Sequence, residues 1–282
     1  MAWVGQLRAS AISRFASLGF PTERDEAWRL TRVDPIVETT FALAAQSASF
    51  KEQDIYALAL ASLCGIQLVF VDGRYQPELS RMPAFSGVLA ASLAATLKSE
   101  PGKVEPYLAK RVGPEGAAFT ALNTAFFNDG AFIYLSKNAS ADQPIHLLFI
   151  STASETPLMA HCRNLIVAEA GAKASIVEEY VGAGAGVYFT NVVTEIFADD
   201  NSELSHYKLQ RESDKGLHIG TLQVHQQRDS RFMAHSISLG GSLVRQDVNV
   251  VLEAEDGQQG LDLLPLRRIE ARPRWRRTQS SL

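Results

Sequence analysis

At 282 residues the chain can form one large or two modest domains, and 46% hydrophobic against 21% charged residues is ordinary globular composition. A net charge of −4 offers no bulk attraction to nucleic acid or an anionic membrane. Cys64 and Cys162 lie far apart and outside any CxxC, which excludes a disulfide framework or zinc ribbon and fits a reducing compartment. No run approaches the ~18 apolar residues of a membrane span. The start MAWVGQLRASAISRF lacks the apolar core and cleavage site of a secretory leader, so a soluble, cytoplasmic protein is expected.

Residues 1–18 read as an amphipathic helix with Trp3, Leu7, Ile12, Phe15 and Leu18 on one face, closed by Gly19 and Pro21. Thr22 with Asp25 approximates a capping box. Trp28 stands among Arg24, Asp25, Glu26 and Arg29 and reads as a docking aromatic with solvated charges around it. Residues 51–64 read as helix and 66–80 as two strands about the hairpin signal Asp72-Gly73. Helix is expected again over 85–99, linker over 110–114 and helix over 117–128. The period then changes to that of strands, in AFIYLSKN and PIHLLFIST, with a turn at 139–143. The expected division is a mixed helical region at 1–115, a β core at 116–264 and a basic tail at 265–282.

The β core repeats. Segments starting at Asn164, Asn191, Thr221 and Asp247 lie 27, 30 and 26 residues apart. Each runs through alternating apolar positions, breaks at a Gly/Asp/Asn/Ser-rich turn and enters a second strand. Aligned by their starts, Leu165, Val192, Leu222 and Val248 form one column, and Val167, Thr194, Val224 and Val250 the next. One such segment cannot bury its apolar face alone, whereas stacking at ~4.8 Å per rung makes a continuous core. A sandwich of hairpins would also show short strands between turns, but the columns favour a coil.

Motifs for chemistry are sparse. The dinucleotide, P-loop and HExxH signatures are absent, and Gly240-Gly241-Ser242 has the wrong spacing for a nucleophile elbow. GAGAG at 182–186 lacks a following Lys and a helix start, so it reads as a strand connection. Of the six histidines, His206, His225 and His235 could share a face of the coil, with His206 and His235 near register. No carboxylate or Cys recurs with them, so they read as surface or rim residues rather than metal ligands. Glu178, Glu179 and Glu195 could supply an acid and base pair, as in a β-helical carbohydrate-active enzyme, but nothing fixes their separation and they read as solvated strand edges. Asn164 and Asn191 begin successive coils and read as stacked corner residues bonding to the next rung. From 265 onward the alternation stops; six Arg and Trp275 against Glu270 give the tail +5 and the rest −9. That composition reads as a disordered arm, or as one for nucleic acid or anionic lipid.

The stretches PTERDEAWR (21–29), FTALNTAFFNDG (119–130), RNLIVAEAGAKASIVEEYVG (163–182), YFTNVVTEIFADDNSELSHYKLQRES (188–213) and SLGGSLVRQDVNVVLEAEDG (238–257) resemble the SufB/SufD family, and within it the SufD branch, of the SufBCD iron–sulfur cluster assembly complex. Leu30 stands where that branch usually has Tyr. The resemblance implies a mainly β fold, a right-handed parallel β-helix behind an N-terminal helical region. It implies a non-enzymatic scaffold that works with SufB and the ATPase SufC in iron supply and cluster building. The cluster forms at the level of the complex, so no cofactor is expected on this chain alone. The family continues with further coils and a helical end that docks SufC, and its SufB–SufD interface residues lie there. No catalytic, cofactor-binding or metal residue is therefore assigned. The Arg-rich tail then suggests a frameshifted or truncated reading frame, with loss of SufC recruitment and self-association through the open coil.

Overall fold

The computed structural model describes residues 1–44, 50–58, 65–110, 118–253, 258–265 and 277–279, with 56–58 and the last two stretches as backbone only. The expected helix over 59–64 (with Cys64), the linker at 111–114 and tail residues 266–276 and 280–282 lie outside them. In chain order the elements are α1 (Ala2–Leu18), α2 (Asp34–Val37), β1 (Ala42–Leu43), α3 (Glu52–Leu58), β2 (Ile66–Val71), β3 (Arg74–Tyr75), β4 (Val88–Ser92), α4 (Leu93–Ser99), α5 (Pro101–Val104) and α6 (Ala118–Phe126). Then follow β5 (Ala131–Leu135), β6 (Ile145–Thr152), β7 (Leu158–Ala168), β8 (Lys173–Ala183), β9 (Tyr188–Ala198), β10 (Glu203–Arg211), β11 (Gly216–Gln226), β12 (Arg231–Ser238), β13 (Leu243–Leu252), β14 (Gln258–Pro265) and β15 (Arg277–Gln279).

Strands alternate between two sheets. One has the order β15-β13-β11-β9-β7-β5-β4, with β1 beside β7; the other has the order β14-β12-β10-β8-β6-β2-β3. Strand β5 pairs antiparallel with β4, but among the described strands from β5 to β15 every pairing is parallel. The chain thus winds as a parallel β-solenoid, as the repeat predicts. Strand β2 pairs with β6, so the segment before residue 116 shares the coil's core.

Each tight corner is a four-residue turn closed by a backbone bond: Ala139 to Ser136, Ala172 to Glu169, Ser202 to Asp199 and Ser230 to Gln227. The third residue is left-handed each time, at Asn138 (φ 59°), Gly171 (74°), Asn201 (58°) and Asp229 (56°). Gly, Asn and Asp tolerate that region best. The corners also stack, Asn138 N–H donating to Ala170, Gly171 to Asp200 and Asn201 to Arg228. Inside, Phe70, Phe149 and Tyr180 stack on successive rungs with centroids 4.8 and 4.9 Å apart.

The column alignment needs correction. Leu222 does pair with Val248 and Val224 with Val250. Lower down, Val192 lies beside Cys162 rather than Leu165, and Thr194 beside Leu222. Leu165 and Val167 point outward, against Leu93, Leu97, Val104 and Leu108. Strand β7 is buried on both faces, so its apolar residues do not reveal which face is inner.

That outer cover explains the helices. Trp28, Val33, Ile36, Phe119 and Leu122 pack on Phe189, Leu217 and Ile219. Helix α1 forms as expected, with Gly19 N–H bonding to the Phe15 carbonyl. None of its residues is fully buried and its packed stripe is narrower than predicted: Trp3, Leu7 and Phe15 are half-buried, whereas Ile12 and Leu18 are 39% and 43% exposed. Trp28 docks as expected, sandwiched by Phe119 and by the Arg245 guanidinium, 3.9 Å over its ring. The single helix expected over 85–99 is instead β4 followed by α4. Gly87 (φ 74°) turns the chain, pairing with β5 overrides the Ala-rich helix propensity, and Ser92 Oγ caps α4 by accepting from Ala95 N–H at 3.0 Å.

Candidate functional site

Strand geometry sends alternate side chains inward. In β8 the inward set is Ala174, Ile176, Glu178 and Tyr180; in β10 it is Leu204, His206, Lys208 and Gln210. Near the tight corners the interior is aliphatic. Farther along the strands it becomes polar, and the polar groups satisfy one another. Glu178 accepts from Tyr180 Oη at 2.7 Å and Thr194 Oγ1 at 2.7 Å, and His206 Nε2 lies 3.1 Å away. Asn164 Nδ2 donates to Thr194 at 3.2 Å, and its Oδ1 accepts from Ala131 N–H. Lys208 Nζ sits 2.8 Å from His218 Nε2, bonds Gln246 and lies 5.0 Å over the Tyr180 ring. His218 Nδ1 faces Glu212 at 2.8 Å, and Glu212 also accepts from Gln210 and Thr190.

The charges follow from these contacts. Burial alone would raise the Glu178 carboxyl, but the His206 ring and the Tyr180 and Thr194 hydroxyls hold it at about 2. Burial lowers the Lys208 ammonium to about 8, against the pull of Glu178 and Glu212. Burial and the neighbouring Lys208 hold His218 low, so the tautomer that suits both contacts carries its proton on Nδ1 toward Glu212. Burial pushes the Cys162 thiol well up, and carboxylates nearby add to it, leaving an inert sulfur. The interior thus holds a linked polar network, hydrogen bonds joined by the Lys208–Tyr180 ring contact, that runs from Asn164 to Glu212 and ties β7, β8, β9, β10, β11 and β13 to one another.

A second set of buried pairs faces outward. Arg163 donates to Glu195 Oε1 through Nε at 2.9 Å and Nη2 at 2.6 Å, and through Nη1 to Thr124 Oγ1 at 3.1 Å. Asn123 Nδ2 reaches the carbonyls of Cys162 and Asn191, so α6 spans two rungs. His146 Nε2 lies 2.9 Å from Glu179, which also holds Arg211.

Several sequence readings change here. Glu178, Glu179 and Glu195 are 0–1% exposed, not solvated edges, and each has a cationic or imidazole partner. Side chains so enclosed cannot flank a sugar chain, which removes the glycosidase-like reading of these three. His206 and His225 are buried rather than on a rim. His206 registers with Ala234 and faces inward, whereas His235 registers with Tyr207 and faces outward, stacked on it. The three suggested histidines therefore share no face. Asn164 does bond neighbouring rungs, but Asn191 registers with His161 and they are not stacked. GAGAG closes β8 with Gly182 and Ala183 and then forms most of the β8–β9 connection, in keeping with the reading as a strand connection. Lys208, Glu212, Arg163 and Arg211 were not foreseen. Their signal is a run of polar residues at strand parity, His206, Lys208, Gln210, which resembles a solvent face.

Fold and interior together define a parallel β-solenoid protein with a helical N-terminal cover and an internally neutralised polar core. The chain belongs to the SufBD family: residues 1–147 match the SufBD protein N-terminal region and residues 149–266 the SUF system FeS cluster assembly, SufBD core domain. It is 30% identical over 258 residues to an iron-sulfur cluster assembly SufBD family protein of Synechocystis sp., covering 88% of this chain and 56% of that one. It is 26% identical over 257 residues to the iron-sulfur cluster assembly protein SufD of Escherichia coli, covering 90% and 57%. A third relative, SufD of Bacillus subtilis, is 28% identical over 131 residues, covering 46% and 30%. The chain spans little more than half the length of the first two relatives. Among the described residues no helix is long and apolar enough to cross a membrane.

Proposed function

We propose that the chain serves iron–sulfur cluster assembly as a non-catalytic, cytoplasmic scaffold, in company with homologues of SufB and of the ATPase SufC. The observation that carries this reading is the pair of SufBD family matches, running end to end over the helical cover and the solenoid. The interior supports the scaffold role. Its acids and bases are spent on one another, Glu178 on His206 and Glu212 on His218, which suits a rigid body better than a reactive cleft. The iron–sulfur cluster is cargo of the assembly, built where several subunits meet.

The test is co-expression of this chain, affinity-tagged, with the SufB and SufC homologues of one bacterium. At least one of SufB and SufC should be retained at fixed stoichiometry, stoichiometric SufC overturning the loss of recruitment expected from the tail, and anaerobic cluster formation on the complex should slow when this chain is left out. Retention of neither partner, with cluster formation unchanged by omission, overturns the proposal. The chain alone should hydrolyse no ATP.

A further inference from the structure

A cavity of about 250 Å³ opens on the outer face of the first sheet, beside the segment that follows α5. Its floor is Val167 and Phe197, with His225 on the next rung up. Phe197 and His225 stack with centroids 5.2 Å apart, and Tyr107 meets Phe197 edge-on at 5.1 Å. Its rim is acidic for a structural reason. The residue just past β7, β9 and β11 opens a tight corner, at Glu169, Asp199 and Gln227, and Glu253 holds the same position after β13. Gln227, after β11, completes the column and donates to Glu253, whose other oxygen faces His225 Nδ1 at 3.3 Å. No Lys or Arg is among the described lining residues.

Glu169 and Asp199 are like charges on neighbouring rungs, which oppose folding, so that pair beside an aromatic floor calls for a positive guest. The local field shows the same sign. Burial, then Glu169 and Asp199, raise the Tyr107 hydroxyl. A hydrogen bond to Glu169 pushes Tyr134 up to about 12. The carboxylates climb three rungs, roughly 14 Å at ~4.8 Å per rung. They do not converge, and no cluster of His, Cys, Asp and Glu among the described residues is arranged for a metal. The volume is smaller than the ~300–1,000 Å³ of sites for drug-sized ligands, which suits one side-chain-sized group. Aromatic faces with carboxylates at the rim recognise a cation on an apolar stem, through its charge and its ring contacts together.

We propose that this cavity binds an organic cation, an alkylammonium or guanidinium group on an aliphatic stem. The guest is either a free amine or a Lys or Arg side chain presented by a polypeptide. The probes are agmatine, the blocked tripeptide acetyl-Gly-Arg-Gly-amide and its citrulline counterpart, which keeps the shape and loses the charge. They are titrated calorimetrically into the full chain. Agmatine, the Arg peptide or both should saturate at one site, and the citrulline peptide should not. Asp199→Asn retains the side-chain oxygen that accepts from Asp200 N–H and should weaken binding roughly tenfold; Tyr107→Leu should do the same. Unchanged circular dichroism and melting would show that both variants fold. Agmatine as tight as the peptide identifies a free amine as guest; a peptide at least tenfold tighter identifies a polypeptide side chain. No saturable binding, equal binding of the citrulline peptide, or wild-type affinity in both variants overturns the site.

Discussion

Replacing Arg163 by Met tests whether the outward buried pairs hold the cover on the coil. Arg163 is fully buried, and its guanidinium supplies both short bonds to Glu195 as well as contacts to Asn123 and Thr124 of α6. Met fills most of the volume, so the chief loss is electrostatic. Among the described residues Glu195 keeps the Ala109 N–H alone, 3.1 Å from each oxygen. Removing one partner of a buried pair costs about 3–5 kcal/mol. At roughly 2–4 °C per kcal/mol for a chain of this size, melting should fall by about 10 °C. Adding Glu195→Gln removes the stranded charge and should restore about half or more of the loss. Urea denaturation of the two single variants and the double variant gives the coupling directly. A loss below about 1 kcal/mol for Arg163→Met, or a double variant no more stable than the single, would refute the reasoning.

Two acid transitions should separate by residue. Burial holds the His161 ring at about 4 against an ordinary value of 6.5. The unfolded state therefore binds the extra proton first, and stability falls as pH drops from about 6.5 to 4. His161→Leu should flatten that window in pH-dependent denaturation. Glu178, at about 2 against 4.5, contributes stability that is present above pH 4.5 and lost as pH falls toward 2, on the order of 3 kcal/mol. Glu178→Gln should flatten this lower limb only. Gly130→Ala should cost about 2 kcal/mol or more, because the new Cβ would run into the Arg163 backbone carbonyl; a melting curve unchanged from wild type would show that β7 can give way.

Which parts of this structure could be read in advance depends on what a residue's neighbours say about it. Three tight corners were legible because Gly171, Asn201 and Asp229 occupy backbone conformations that few residues accept, whereas the corner at Asn138 falls inside AFIYLSKN, just ahead of the turn expected at 139–143. The hairpin at Asp72-Gly73 was legible for the same reason, with φ values of 50° and 75°. Strand parity was not. In β10 the more apolar set, Tyr207 and Leu209, faces out, while His206, Lys208 and Gln210 face in. Alternation assumes that polar means solvent, and this interior satisfies its polar groups with one another instead. Many of these pairs, and of the outward buried pairs, are far apart in the chain, as in Lys208–His218, Lys208–Gln246 and Arg163–Glu195. Only a known register brings them together. Sheet faces hidden beneath α4, α5 and α6 misled for a related reason, since Leu165 and Val167 are apolar and yet outside the coil. The cavity rim was hidden because its carboxylates fall at corners, where acidic residues normally signal nothing but a turn.

The docking of Trp28 also sets an order of events during synthesis. Arg245 covers its ring and donates to the carbonyl of Ala27, a contact across 218 residues. At the ~5–20 residues per second of translation, Trp28 waits roughly 10–40 s for that partner to be made. Phe20, Phe41 and Phe119 share the wait, because Phe189, Leu217 and Leu243 complete the same cluster. The coil can wind rung by rung as it emerges, but its cover closes only after the upper rungs exist. An aromatic segment made early and buried late is a natural client for a ribosome-associated chaperone.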